Sequence, residues 1–131
     1  MIKKIAIATS FVASLFAASA CAQTAPIIWS GSISESDYPG AALRKHQQGL
    51  VTMKLTIDLR GRVSNCEVVQ SSGYDELDAG SCRFWSRRFR YRPARSAENE
   101  PVVGELIQQI GWMIRQPCPP MASNGACVII D

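Results

Sequence analysis

From Val51 to Asp58 the chain alternates apolar and polar residues without a slip. Val51, Met53, Leu55 and Ile57 fall on one side, with Thr52, Lys54, Thr56 and Asp58 on the other. Successive side chains of an extended chain point to opposite faces, so this period of two describes a strand with one buried face. Such a strand cannot stand alone, because its apolar face needs a covering layer and its backbone needs partners. Arg60-Gly61 supplies a turn, since glycine tolerates positive φ. Val63 to Gln70 then reads as the return strand of a hairpin.

The covering layer follows in sequence. Ser71-Ser72-Gly73 breaks the hairpin, and Asp75 is placed to cap a helix that runs to about Arg88. Glu76 and Asp78 sit favourably near the positive end of that helix. Leu77, Ser81, Cys82, Trp85 and Phe89 recur on one side at helical spacing, with Gly80 as the weak point. An earlier segment, Gly40 to Gln48, follows Tyr38-Pro39 and is long enough for one or two helical turns before Gly49. Arg92-Pro93-Ala94 ends the helical region, and Ser96 to Glu100 is a polar loop. Val102 to Ile114 reads as a third strand. Val102, Leu106, Ile110, Trp112 and Ile114 share a face that Gln108 interrupts. The tail, Gln116 to Asp131, carries Pro117, Pro119 and Pro120 and is expected to hold little regular structure.

The N-terminus has a different logic. Lys3 and Lys4 precede an uncharged run from Ile5 to Ala20, and Ala18-Ser19-Ala20 and Ala20-Cys21-Ala22 both offer small residues for cleavage. This is the layout of a secretory signal over residues 1–22. Two processing routes stay open: cleavage after Ala22, or acylation of Cys21, although Ala18 stands where a lipobox usually has leucine. An uncleaved anchor is the weaker alternative. A bilayer core takes about 20 apolar residues, and this run is short and rich in alanine and serine. Losing Lys3 and Lys4 lowers the formal charge from +3 to +1. Net basicity therefore gives no reason to expect a nucleic-acid partner. Export points to the periplasm or the medium, where disulfides are the default.

Tyr38-Pro39, Gly49-x-Val51, Asp58-x-x-Gly61-x-Val63, Ser71-Ser72-Gly73, Leu77-Asp78 and Tyr91-x-Pro93-Ala94 stand in an order and spacing that resembles the TonB C-terminal domain family, over roughly Asp37 to Arg115. Each piece alone is weak, but six in register on the expected elements make a specific pattern. The resemblance implies an α+β fold, a three-stranded antiparallel sheet packed on helices. It also implies an activity, the binding of a short extended segment of an outer-membrane receptor against the last strand by β-augmentation. The division that follows is a signal at 1–22, a short tether at 23–36, the domain at 37–115 and a Pro- and Cys-containing tail at 116–131. A complete TonB keeps its membrane helix and a long Pro-rich span. A tether this short reaches only about 50 Å when extended, so fold and binding mode carry over better than energy transduction.

If the third strand pairs with the first, as the resemblance implies, it leaves an edge about thirteen residues long. Val103, Glu105, Ile107 and Gln109 on its less apolar face would select a partner's side chains while the backbone binds. A second copy pairing through such an edge is a further option. The alternative is that the Pro-rich tail covers the edge. Cys66 on the second strand and Cys82 on the apolar helix face would meet if that helix covers the sheet. Closing a loop of about 15 residues contributes roughly 3 kcal/mol in the chain-entropy model. Cys118 and Cys127 flank Pro119 to Ala126 and would tie down the tail.

Other chemistry finds little support. His46 is the lone histidine and no Cys-x-x-Cys occurs, so neither a zinc site nor a catalytic set assembles, and no cofactor fingerprint is present. Arg83, Arg87, Arg88, Arg90, Arg92 and Arg95 crowd into thirteen residues with Phe84, Trp85, Phe89 and Tyr91. They read as an amphipathic helix end with arginines in water and near the negative helix terminus. The competing reading is a site for anionic lipid or wall polymer in a structural envelope protein.

Overall fold

The structure is a computed structural model that describes residues 24–131. The signal over residues 1–22 and Cys21 lie outside the described residues. Among the described residues, no helix is long and apolar enough to cross a membrane.

The strands are β1 (Ile27–Ser30), β2 (Gly49–Ile57), β3 (Val63–Gln70), β4 (Arg90–Arg92), β5 (Ala94–Arg95), β6 (Pro101–Val102), β7 (Gly104–Ile114) and β8 (Ala126–Ile130). The helices are α1 (Gly40–Arg44) and α2 (Asp75–Arg88), preceded by a 3₁₀ turn at Glu35–Asp37. The main sheet has the order β3-β2-β7-β8, and β1 with β4 and β5 with β6 form two small ribbons. The expected α+β fold is therefore present, with its three antiparallel strands centred on β2.

The alternation of β2 sets the core. Val51, Met53, Leu55 and Ile57 are fully buried, and each such side chain contributes roughly 1.5–3 kcal/mol by leaving water. Opposite Val51 stands Ile110, and opposite Leu55 stand Leu106 and Cys66. Helix α2 lies on this face and presents buried Leu77, Ser81 and Trp85, which is the side read from the sequence. It begins at Asp75 with Tyr74 as its N-cap and no side-chain cap. The nearby carboxylate is Asp78, which accepts the backbone N–H of Ser72 at 2.9 Å. Gly80, the apparent flaw in the helix, has a packing reason. A Cβ there would lie 2.6 Å from Cγ of Pro39, so the glycine lets the Tyr38-Pro39 corner seat against the helix. Tyr38 meets Trp112 edge to face at 5.2 Å. Gly61 (φ +78) is equally required, because a Cβ would fall 1.9 Å from the carbonyl oxygen of Tyr91.

Three further expectations are overturned. Residues 27–30, expected within a tether, pair antiparallel with Arg90–Arg92. The third strand is not continuous from Val102, since Val103 separates β6 from β7. There Gly104 packs so closely against Ala94 and Pro26 that a Cβ would clash. The short helix takes the expected one to two turns as Gly40–Arg44, after which His46 turns the chain with φ 52°. The tail is not irregular throughout, because Ala126–Ile130 adds a fourth strand, parallel to β7 along Ile110–Ile114.

Candidate functional site

The edge of β7 is the site the sequence pointed to, and the tail reaches it. β8 occupies the C-terminal half of that edge, residues Ile110–Ile114. Just beyond, Asn124 donates its side-chain amide to the Ile107 carbonyl at 2.7 Å. Gln108 returns the contact, its Nε2 donating to the Asn124 carbonyl at 2.6 Å. The backbone N–H of Ala122 donates to Oε1 of Gln109 at 2.8 Å. Cys118 and Cys127 are bonded, as expected, and a Cβ on Gly111 would touch Cys127 Sγ, Leu50 and Met121.

The four residues expected to select a partner therefore fall into two pairs. Val103 and Glu105 are exposed. Ile107 is 48% exposed, but its carbonyl is capped by Asn124. Gln109 bridges the tail to Thr52, whose Oγ1 accepts from its Nε2 at 3.1 Å. Ile107's carbonyl faces away from β2, and peptide groups alternate along a strand, so the backbone of Glu105 and Gln109 shares that outward direction. Beside this edge the outer sheet face is polar. Lys54 pairs with Glu67 at 3.2 Å; hydrogen bonding and charge from Glu67, with a further pull from Glu105, raise the Lys54 pKa. Sequence reading missed Asn124, Ala122 and the clamp made by Gln108. The interruption of an apolar face by Gln108 was the available signal.

The main sheet has two outermost strands, β3 and β8. β3 pairs only with β2 among the described strands. β8 has its outer side near Ile33, Ser34 and Glu35, which with Cys127, Val128 and Ile129 line a cleft of about 330 Å³.

The arginines do not form one patch. Arg83, Arg87 and Arg88 line an open cleft of about 440 Å³ with Asp37, Pro39, Gly40, Gly80 and Phe84. Within it Arg88 is held by Asp37 at 2.7 Å. Burial works against the Asp37 carboxylate, but the Arg88 and Ser34 hydrogen bonds prevail and lower its pKa. Arg90 turns back on the end of α2 and donates to the carbonyls of Ser86, Arg87 and Phe89. Arg92 lies elsewhere, its guanidinium 4.1 Å from the centroid of the Trp29 ring.

The remaining polar groups hold the fold. Trp112 donates to Ser81 Oγ at 2.8 Å and Ser81 Oγ donates to the Leu77 carbonyl at 2.7 Å. Trp85 donates to the Tyr91 hydroxyl at 2.6 Å. Burial pushes the Tyr91 phenol up to about 12 despite that bond. Lys45 and Gln47 hold Glu76, whose pKa is lowered to about 2, first by the Lys45 hydrogen bond. Cys66 and Cys82 are bonded, joining β3 to α2. His46 is exposed, and no cluster of three or more His, Cys, Asp or Glu among the described residues is placed to hold a metal.

Comparison with known proteins sets this geometry in a lineage. Residues 34–113 match the family described as the Gram-negative bacterial TonB protein C-terminal. A stretch of 53 residues is 34% identical to Protein TonB of Neisseria gonorrhoeae, covering 40% of this chain and 19% of that protein. The match thus spans far less than two thirds of that relative's length.

Proposed function

The chain belongs to the TonB C-terminal domain family, and on that premise we propose that it is a non-enzymatic protein-interaction module of the periplasm. It takes an extended segment of a protein partner, such as an outer-membrane receptor, as an added strand on the edge of β7. The observation that carries this reading is β8. The chain's own tail lies along Ile110–Ile114 as a parallel strand, so the edge accepts an added strand, as β-augmentation requires.

The partner's place is the stretch that β8 leaves, Val103 to Gln109. Glu105 and Ile107 offer one charged and one apolar side chain, and the outward peptide groups of Glu105, Ile107 and Gln109 offer the ladder. Entry displaces the Asn124–Ile107 and Ala122–Gln109 bonds, each worth about 0.5–1.5 kcal/mol net, which the partner's own ladder bonds replace. The Cys118–Cys127 bond keeps β8 in place meanwhile.

A proline scan of a synthetic peptide from an extended segment of an outer-membrane receptor tests this. Proline removes a backbone donor, and a strand points alternate donors at its neighbour. Affinity for the exported protein should fall at every second position. Losses that follow side-chain identity alone, with no alternation, would reject strand addition.

A further inference from the structure

The β1–β4 ribbon carries the two most exposed large apolar side chains of the described residues, Ile27 at 65% and Trp29 at 62%. Ile27 stands directly opposite Arg92, and the register shifts at Trp29, between Ile28 and Ser30. The Arg92 guanidinium stacks on the Trp29 indole and so joins Ile27, Trp29 and Arg92 in one exposed surface. Gly61 accepts the Tyr91 N–H at 2.8 Å, which sets the β2–β3 turn beside β4, where Leu59 is 54% exposed and Arg60 is also exposed.

The charge on this face is predominantly positive, with Asp58 in the turn and Glu98 beyond Arg95 as the nearby acids. Neither residues 24–34 nor residues 83–97 contain an aspartate or glutamate. The acid of the turn, Asp58, is occupied by the backbone N–H groups of Arg60 and Arg62, both at 2.9 Å. The two clefts described above lie against α2 and β8, not on the ribbon. Protein partners are gripped mainly through pockets that bury an anchor side chain. An exposed tryptophan and isoleucine with unopposed arginines suit a planar, anionic, half-apolar surface, where indole rings sit at headgroup depth and guanidinium groups meet phosphates.

The path of the chain agrees. Thr24 donates its backbone N–H to the Arg95 carbonyl at 3.2 Å, and its hydroxyl accepts the Arg95 N–H at 3.0 Å. Among the described residues, the polypeptide thus meets the fold at Arg95 of β5, three residues beyond the end of β4, and Cys21 stands three residues before Thr24 in the sequence. A lipid on Cys21 would lie within about 10 Å of Thr24 along the chain.

We propose that the outer face of the β1–β4 ribbon docks on an anionic phospholipid bilayer, with Trp29 and Ile27 entering the headgroup layer and Arg92 binding phosphate. The surface is separate from the β7 edge, so the partner strand and the membrane engage different residues.

Trp85 and Trp112 are buried and Trp29 is the exposed indole, so fluorescence reports on this face selectively. The full chain, as processed by its cell, is titrated with phosphatidylglycerol-containing vesicles and with pure phosphatidylcholine vesicles. The expected result is a blue shift and protection from acrylamide with the anionic vesicles, weakened by salt. Arg92→Gln should lower that affinity about fivefold, the effect of one basic residue at an anionic surface. Trp29→Ser should also weaken binding by flotation, with unchanged melting and both disulfides intact. Equal binding to neutral vesicles would mean a lipid anchor alone and would overturn the proposal. So would a concentration-dependent blue shift without vesicles, which would assign the face to a second copy. Undiminished anionic-vesicle binding by folded Trp29→Ser/Arg92→Gln would overturn it as well.

Discussion

Asn124 donates its side-chain amide to the carbonyl of Ile107 at 2.7 Å, tying the tail to the open half of the edge strand. The bond occupies a backbone acceptor that an incoming strand needs. Asn124→Ala should therefore raise affinity for a receptor peptide by about three- to tenfold, the value of one net hydrogen bond. Isothermal titration of both proteins checks this. A fall in affinity would make Asn124 part of the partner's contact, not a competitor for it.

The disulfides act on different parts of the molecule. Cys66–Cys82 joins the sheet to the helix that covers it, so replacing both with alanine should lower global stability by about 3 kcal/mol. Cys118–Cys127 secures β8. Replacing that pair should speed amide exchange at the β7 residues facing β8 more than it shifts the main unfolding transition. Urea denaturation with exchange measurements separates the two effects, and equal global losses would contradict the assignment.

Ser81 serves Trp112 inside the core. Ser81→Ala leaves the Trp112 indole N–H buried without its acceptor, at a cost of about 1–3 kcal/mol. Denaturant unfolding should show this with little change in the slope. A loss under about 0.5 kcal/mol would mean that the indole finds another partner.

Stability should fall at both ends of the pH scale for identifiable reasons. Glu76 titrates near 2 in the fold against an ordinary 4.5, chiefly because Lys45 hydrogen-bonds its carboxylate. A lowered carboxyl pKa gives stability that is complete above the unfolded value and is lost as pH drops from 4.5 toward 2. Tyr91 is shifted the other way, by burial, to about 12 from 10. Its contribution is complete below pH 10 and is lost as pH rises toward 12. Denaturation midpoints against pH should show both limbs, and Glu76→Gln should flatten the acid one. An unchanged acid limb in that variant would assign the acid sensitivity to other carboxyl groups.

What was legible in the chain was local. The alternation of Val51 to Ile57, the helical spacing of Leu77, Ser81 and Trp85, and the pairing of Cys66 with Cys82 all follow from periods of two or near four residues. The tail strand was not legible, because Ala126–Ile130 is a short apolar run after prolines, and its pairing with Ile110–Ile114 is decided by tertiary contact. β1 escaped for a related reason. All four of its residues are exposed, so no buried face imprints a period on Ile27 to Ser30. For the candidate site, the sequence marked the third strand as an edge and raised its cover by the tail as an option, and β8 covers part of it. The sequence could not show that Gln108 and Asn124 divide the edge into a covered half and an open one, since that depends on where two amide side chains meet.

Amide hydrogen exchange of the exported protein, with and without a receptor peptide, measures directly whether a partner strand adds to β7. Strand addition should slow exchange at Glu105, Ile107 and Gln109, whose backbone groups face outward, while the amides of Arg83 to Arg92 stay as they were. Protection confined to the arginine segment, with Glu105 to Gln109 unchanged, would contradict it.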